Sequence, residues 1–315
     1  GGLRMALPII TVFGATGKQG GGVVAALLAQ QHEFPCAVRG VCRDPRSAAA
    51  LRLVAQGVEM VAADVSHVSE SEGDDGGIAR AVAGSAGVFA SFDFWTLGFD
   101  KEVAAGKAVV DAARREPAMR HFVCSSLEPM GDRTNGRLAF GAFDSKARIV
   151  EHLERSGLPF TLVKYATYCE NFVDGHTRLQ RSATTGAWRF EYALGGAGLT
   201  LVPVHDAGRV VARIFAQRER YLGRSIGLAG DHLTLAEMAA TFARVTGEAV
   251  ETRDVPLEEL RAAGAPSLNM WIYKREFEQE FAEYVAQSRA IVPDLLSFEQ
   301  WLRLHWPTQA QSQAQ

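Results

Sequence analysis

The chain has 315 residues, with 33 lysines and arginines against 36 aspartates and glutamates, 47% hydrophobic and 22% charged residues. This is ordinary globular composition with ample core material, sized for one large or two unequal domains, and it excludes disordered, collagen-like and disulfide-scaffold classes. A net charge of −3 with no basic block argues against direct nucleic-acid binding. No apolar run approaches the roughly 20 residues that span a bilayer, so no membrane association is expected, and no leader pattern is seen.

Strand and helix signals alternate through the first half. Ile9 to Phe13 is a short apolar run, followed by glycines and then Val23 to Ala29, which reads as strand, turn and helix. Further strands are predicted at Ala37–Cys42, Val58–Ala62, Gly87–Ala90, His121–Cys124 and Phe160–Tyr165, with helical patterns at Ala48–Ala55, Lys107–Arg115 and Ser145–Arg155. Such βα alternation predicts an α/β fold, a Rossmann-type doubly wound parallel sheet, with a smaller, mostly helical C-terminal region. The polar stretch Ser66 to Gly77 reads as a surface insertion. In the second half, Arg181 to Thr200 reads as loop or short strands, and His205 to Ala216 as a helix. Thr234 and Glu237 form a capping box for a helix ending at Gly247, and Pro256 opens another ending at Gly264. The expected division is a nucleotide-binding domain over residues 1–165 and a substrate- or partner-side region over 166–306, some of it returning to the first domain. A disordered tail is expected over 307–315. Cys36, Cys42, Cys124 and Cys169 lack metal or redox spacing and read as free thiols. That suits a reducing compartment, the cytoplasm with the nucleus left open.

The strongest local signal is Gly14-Ala15-Thr16-Gly17-Lys18-Gln19-Gly20 between the first strand and helix. Gly14 permits a tight turn, Gly17 lets backbone approach a pyrophosphate, and Gly20 lets helix and strand pack closely. The helix start adds amide donors and the positive end of its dipole. The second strand ends in Cys42-Arg43-Asp44-Pro45-Arg46, roughly 20 residues on, where an acidic residue would hold a ribose and an arginine a 2′-phosphate. Arg43 favours NADP, with Arg46 and Lys18 as supporting charges; Asp44 is the competing ribose partner. Asp64, ending the third strand, is placed to meet adenine or to cap a turn.

Together these pieces resemble the NmrA-like family, atypical relatives of short-chain dehydrogenases, and in particular its animal NADP-binding redox-sensor branch. The likeness rests on GATGKQG at 14–20, VCRDPR at 41–46, the Asp64 strand end, Phe94-Trp95, Phe143-Asp144-Ser145-Lys146 and Tyr168-Cys169-Glu170-Asn171-Phe172. Tyr221-Leu222-Gly223, Asn269-Met270-Trp271 and the Leu296–Leu302 stretch complete it. The resemblance implies that Gly14 to Gln19 cradle the pyrophosphate and that Arg43, Asp44, Pro45, Arg46 and Ser47 hold the 2′-phosphate. It implies that Asp64 and Val65 flank adenine, that Phe92, Asp93 and Phe94 line the groove, and that Lys146 reaches the nicotinamide ribose. Tyr168, Cys169, Glu170 and Asn171 would close the nicotinamide end. One departure is Ala104, where relatives carry a cofactor-holding lysine; Lys107 lies one turn away.

Catalytic short-chain dehydrogenases place a tyrosine four residues before the lysine, as proton donor to the substrate oxygen. Here that position is Ala142. Ser125, Ser126, Tyr165, Tyr168, His176 and His205 are weaker candidates for polar roles, and no catalytic residue or metal ligand is assigned. The expectation is a non-catalytic NADP(H) sensor acting through a protein partner, with a homodimer left open. The segment from Tyr168 to Gly198 would be the part that moves. The alternative is an NADPH-dependent oxidoreductase of the quinone-reductase type, because a quinone can take its proton from water.

Overall fold

The structure is a computed structural model that describes residues 6–68, 76–174 and 179–312. In chain order it contains β1 (Ile9–Phe13), α1 (Lys18–Ala29), β2 (Ala37–Cys42), α2 (Ala48–Val54), β3 (Glu59–Ala62), α3 (Ile78–Val82), β4 (Ser85–Ala90), α4 (Phe94–Arg115) and β5 (His121–Ser126). Next come α5 (Met130–Arg133), α6 (Gly141–Arg155), β6 (Phe160–Tyr165), β7 (Thr167–Tyr168), α7 (Asn171–Asp174), β8 (Gln180–Arg181), β9 (Trp188–Tyr192) and β10 (Leu199–Val202). The remainder is α8 (Gly208–Ala216), α9 (Arg218–Tyr221), β11 (Ser225–Leu228), β12 (Asp231–Leu233), α10 (Leu235–Thr246), β13 (Val250–Asp254), α11 (Leu257–Ala262), α12 (Leu268–Phe281), α13 (Glu283–Ile291) and α14 (Phe298–Ser312).

The chain forms two compact units. The first comprises Gly1–Pro129, Gly141–Lys164 and His205–Ile226, and the second Met130–Phe140, Tyr165–Val204 and Gly227–Gln315. The division is therefore interleaved: Met130–Phe140 belongs to the second unit, and His205–Ile226 returns to the first. That return has a steric basis. A Cβ at Gly208 of α8 would lie 2.1 Å from the Gly22 carbonyl oxygen of α1, so the two helices touch backbone to backbone.

A seven-stranded sheet runs in the order β11-β6-β5-β4-β1-β2-β3. The pairings from β3 through β6 are all parallel. Val88, Phe122, Cys124, Val109, Val110, Ile149 and Leu153 build one buried core layer. Helices α4 and α6 approach closely because residue 106 is glycine: a Cβ there would sit 2.4 Å from Ile149 Cδ1. Helix α4 begins well before the predicted Lys107, since Asp93 caps it and Gly98 (φ 73°) breaks its register after one turn.

The second unit holds two three-stranded sheets, β12-β10-β7 and β13-β9-β8. Its core joins Phe172, Phe190, Phe242, Phe298 and Trp301. The capping box at Thr234 and Glu237 forms as expected. Helices α12 and α13 carry no such boundary signal, since neither start has a side-chain cap. Helix α14 continues through Ser312, into the stretch expected to be disordered, where Gln and Ala are good helix formers. His176, and residues 69–75 of the expected insertion, lie outside the described residues.

At the start of β5, His121 is 2% exposed. Its Nε2 lies 2.8 Å from Thr161 Oγ1, and the Thr161 hydroxyl donates its one proton to the Tyr221 carbonyl. Nε2 must then be the protonated nitrogen, which leaves Nδ1 buried without a partner. Burial, with the Arg218 charge second, lowers the imidazole pKa to about 4. The unfolded chain therefore binds a proton below pH 6.5 that the folded chain refuses until about pH 4. Stability contributed by the neutral ring is complete above that window and is lost as pH falls through it. Chemical-denaturant unfolding should show a loss on the order of 3 kcal/mol across the window. His121→Gln should flatten that dependence, and an unchanged pH profile in the variant would refute the assignment.

Candidate dinucleotide site

Parallel order puts the C-terminal ends of β3, β2, β1, β4 and β5 side by side. With neighbouring strands about 4.8 Å apart, the segments leaving them form a row roughly 19 Å long. Asp64 follows β3, Arg43 follows β2, the glycine turn follows β1, Phe92–Phe94 follow β4, and Ser125 and Ser126 close β5. The strand order reverses between β1 and β4, the switch point where doubly wound sheets leave a crevice for ligands.

The glycine turn is held by its own backbone. Gly14 has φ 72°, a left-handed conformation that side chains disfavour. Gly17 N–H donates to the Gly14 carbonyl at 2.9 Å. Gly20 is buried, and a Cβ on it would lie 2.2 Å from that same oxygen. Gly17 caps α1 without a side-chain acceptor, so the start of the helix, with the positive end of its dipole, is closed by backbone alone. Gly14, Thr16 and Gly17 are exposed, Lys18 and Gln19 are half-buried, and Ala15 is buried. The arrangement is an anion cradle of backbone donors at the positive end of a twelve-residue helix.

One strand over, Arg43 is exposed. Asp44, the rival ribose acceptor, receives the Arg46 backbone N–H at 2.9 Å and faces Arg46 Nε at 3.4 Å. Ser47 Oγ caps α2 by accepting from Ala50 N–H, and Pro45 lies between them. Asp44 and Ser47 thus organise the turn that presents Arg43. Asp64 accepts from both the backbone and the hydroxyl of Ser66, the capping role held open from sequence. Burial pushes its carboxyl up, but the Ser66 hydrogen bonds and the His67 and Arg43 charges outweigh it and hold it below the usual range. Val65 and Phe92 pack on the core, and Asp93 caps α4 through Trp95 N–H and Thr96. Phe94 seats on Gly141, where a Cβ would come within 2.6 Å of its ring.

Lys146 is 9% exposed, and its Nζ lies 2.7 Å from Glu102 Oε1. Glu102 is fully buried, and its second oxygen accepts from Ser145 Oγ. Below them, burial drives the Cys124 thiol up to about 12, although the Lys146 charge opposes it. Sequence reasoning missed Glu102. The signal was available, because residue 102 lies in phase with Ala105, Gly106, Val109, Val110 and Ala113 on the buried face of α4. An acidic residue on an apolar stripe requires a partner.

Ala142, one turn before Lys146, is buried and offers no proton. Ser126 Oγ is buried with no partner. Tyr168, Cys169, Glu170 and Asn171 belong to the second unit. There, Cys169 is buried with its N–H on the Val202 carbonyl. Glu170 accepts from Val204 N–H and from Trp301 Nε1, and Asn171 opens α7. Tyr168 pairs with Val202 in the β7–β10 register, and its ring sits edge-on to Tyr165. His205 is exposed, and its carbonyl packs against Gly22. Among the described residues no three His, Cys, Asp or Glu side chains group to hold a metal, and no helix is long and apolar enough to cross a membrane. Cys36, Cys42, Cys124 and Cys169 are free thiols.

The model of the NmrA-like family matches residues 8–302. An NmrA-like family domain-containing oxidoreductase, lnaB of Aspergillus flavus, is 31% identical over 255 residues, covering 76% of this chain and 73% of its own. The solved structure of the negative transcriptional regulator NmrA in complex with NADP superposes with a TM-score of 0.79 at 17% identity, over 99% of both chains. The NADPH complex of the NADPH-dependent quinone oxidoreductase QOR2 from Escherichia coli gives a TM-score of 0.71 at 19% identity, over 95% of this chain and all of that one. At such identities these structures speak for the fold, while the family model and the curated relative establish kinship. The chain belongs to the NmrA-like family.

Proposed function

We propose that the chain binds NADP(H) along the C-terminal edge of its seven-stranded sheet and works as an NADPH-dependent oxidoreductase on quinone-like acceptors. The observation that carries the reading is the cradle of backbone at Gly14 to Gly20, with an exposed Arg43 one strand away. The pyrophosphate fits the start of α1, which has no side-chain cap at Gly17. Arg43 offers a planar fork of donors for a 2′-phosphate, presented by a turn whose acidic member is already engaged with Arg46. Asp64 and Val65 take the adenine side, and Phe92 to Phe94 the groove after β4. Ser126, with its buried and unanswered hydroxyl, and Lys146 stand toward the nicotinamide side.

NADPH supplies a hydride when bound. This chain's residues hold and orient it but offer the acceptor no phenol one turn before Lys146, where Ala142 replaces the donor. An acceptor that takes its proton from water escapes that lack, and this supports quinones over aldehydes and ketones. The oxidoreductase named among the curated relatives supports turnover as well.

A second reading, an NADP(H) sensor acting through a protein partner, is favoured by the same Ala142 and by the engagement of Lys146 with Glu102. Cofactor loading would then alter a segment such as Tyr168–Gly198, because a ligand shifts a state only by binding it differently from its alternative.

Three outcomes test the proposal. Arg43→Ala should weaken NADPH by about 1–3 kcal/mol while leaving NADH nearly unchanged in calorimetric titration; equal losses would remove the 2′-phosphate role. Gly17→Val should fold, since φ at this position is −91° and a Cβ meets only the Gly14 oxygen at 3.2 Å. It should nevertheless lose dinucleotide binding, and full affinity in the folded variant would put the ligand elsewhere. With NADPH in excess, quinones should be reduced while simple aldehydes and ketones stay inert. No oxidation by any acceptor, together with cofactor-dependent proteolysis within Tyr168–Gly198, would favour the sensor.

A further inference from the structure

The least expected group in the first unit is Glu102, a carboxylate with no exposed surface in the middle of an apolar helix face. A buried charge is costly unless it is paired and hydrogen-bonded. Both oxygens of Glu102 are answered by consecutive residues of α6: Ser145 Oγ donates to Oε2, and Lys146 Nζ to Oε1 at 2.7 Å. The close contact of α4 with α6 at Gly106 and Ile149 brings the carboxylate within reach. An ammonium has three N–H donors, and among the described residues Glu102 is the one hydrogen-bond acceptor of Lys146 Nζ. Of the pair, only the lysine keeps some side-chain surface, 11% against 0%. The carboxylate therefore grips Lys146 from the core side and leaves donors to face outward.

We infer that Glu102 is a positioning residue for the dinucleotide: it clamps Lys146 and Ser145 so that the ammonium presents its remaining N–H groups to the nicotinamide ribose. The inference rests on the NADP(H) reading above. It also offers a physical reason why a lysine is tolerated at a nearly buried position. Charge balance keeps it there, while geometry rather than net charge does the binding. Glu102 touches no reacting atom. Its effect passes through Lys146, so removing either partner should cost the same interaction and removing both should cost no more.

The test is a double-mutant cycle of Glu102→Gln and Lys146→Met on the full chain, with NADPH and NADH titrated calorimetrically and thermal melting followed in parallel. Each single variant should weaken NADPH and NADH alike by roughly tenfold, because both dinucleotides share the ribose at that end. This sets the pair apart from Arg43, whose effect is confined to the 2′-phosphate. The double variant, which leaves no unpaired charge in the core, should fold and show the same tenfold loss rather than a hundredfold one. If Glu102→Gln alone fails to fold, Glu102→Asp, which keeps the charge but shortens the reach to Lys146, takes its place as the single variant and should also lose affinity for both dinucleotides. Shifted melting with wild-type affinity in the folded variants would make the pair purely structural and overturn the inference, as would losses that multiply. Failure of the wild-type chain to bind NADPH would overturn the cofactor reading as well, whereas unaffected variants of a binding-competent chain would overturn the role of Glu102 alone.

Discussion

A Cβ at residue 20 would sit 2.2 Å from the Gly14 carbonyl oxygen, so the turn between β1 and α1 closes only because that atom is missing. From this single close approach much else follows. The start of α1 is pulled against the end of β1, its amides face the row of strand ends, and the positive end of the helix lies at the switch point of the sheet. The far side of α1 depends on two more missing Cβ atoms. Gly22 and Gly208 bring α8 onto it, and with α8 comes the stretch that returns to the first unit from later in the chain. One helix is thus fixed at its start by the glycine turn and along its flank by α8.

The second constraint is electrostatic. Where short-chain dehydrogenases set a tyrosine beside the lysine, this chain has Ala142, and the lysine instead meets a carboxylate from the neighbouring helix. The buried Glu102–Lys146 pair, with Ser145 on the other oxygen, turns a proton-transfer position into a fixed hydrogen-bonding platform. Such a platform suits holding a ribose better than exchanging protons with a carbonyl. The oxidoreductase reading accordingly depends on an acceptor that can take its proton from water.

Much of the first unit was legible in the sequence because its signals are local. Ile9 to Phe13 and Ala37 to Cys42 are short, largely apolar runs that end at turn residues, and both strands form where they were read. The glycine turn carries its own steric logic, as does the Thr234–Glu237 capping box. What escaped depends on neighbours distant in the chain. The extent of α4 was hidden because Gly98 interrupts its period and Gly106 is explained only by Ile149 of another helix. β11 is a short strand recognisable only by its place beside β6. Glu102 read as one more charge until its phase with Ala105 and Val109 was set against the face it occupies. Asp44 and Asp64 were each read two ways, and their hydrogen bonds to Arg46 and Ser66 give both a turn-building part. Glu170, grouped with the cofactor by resemblance, ties Val204 to Trp301 inside the second unit.

The central claim is that the row of strand ends around the glycine turn takes a 2′-phosphorylated dinucleotide. Side-by-side calorimetric titration of the purified chain with NADPH and NADH addresses it most directly. The account predicts one site per chain, with NADPH bound at least about tenfold more tightly than NADH, or about 1.4 kcal/mol. Equal affinity for the two, or no binding of either, would contradict it.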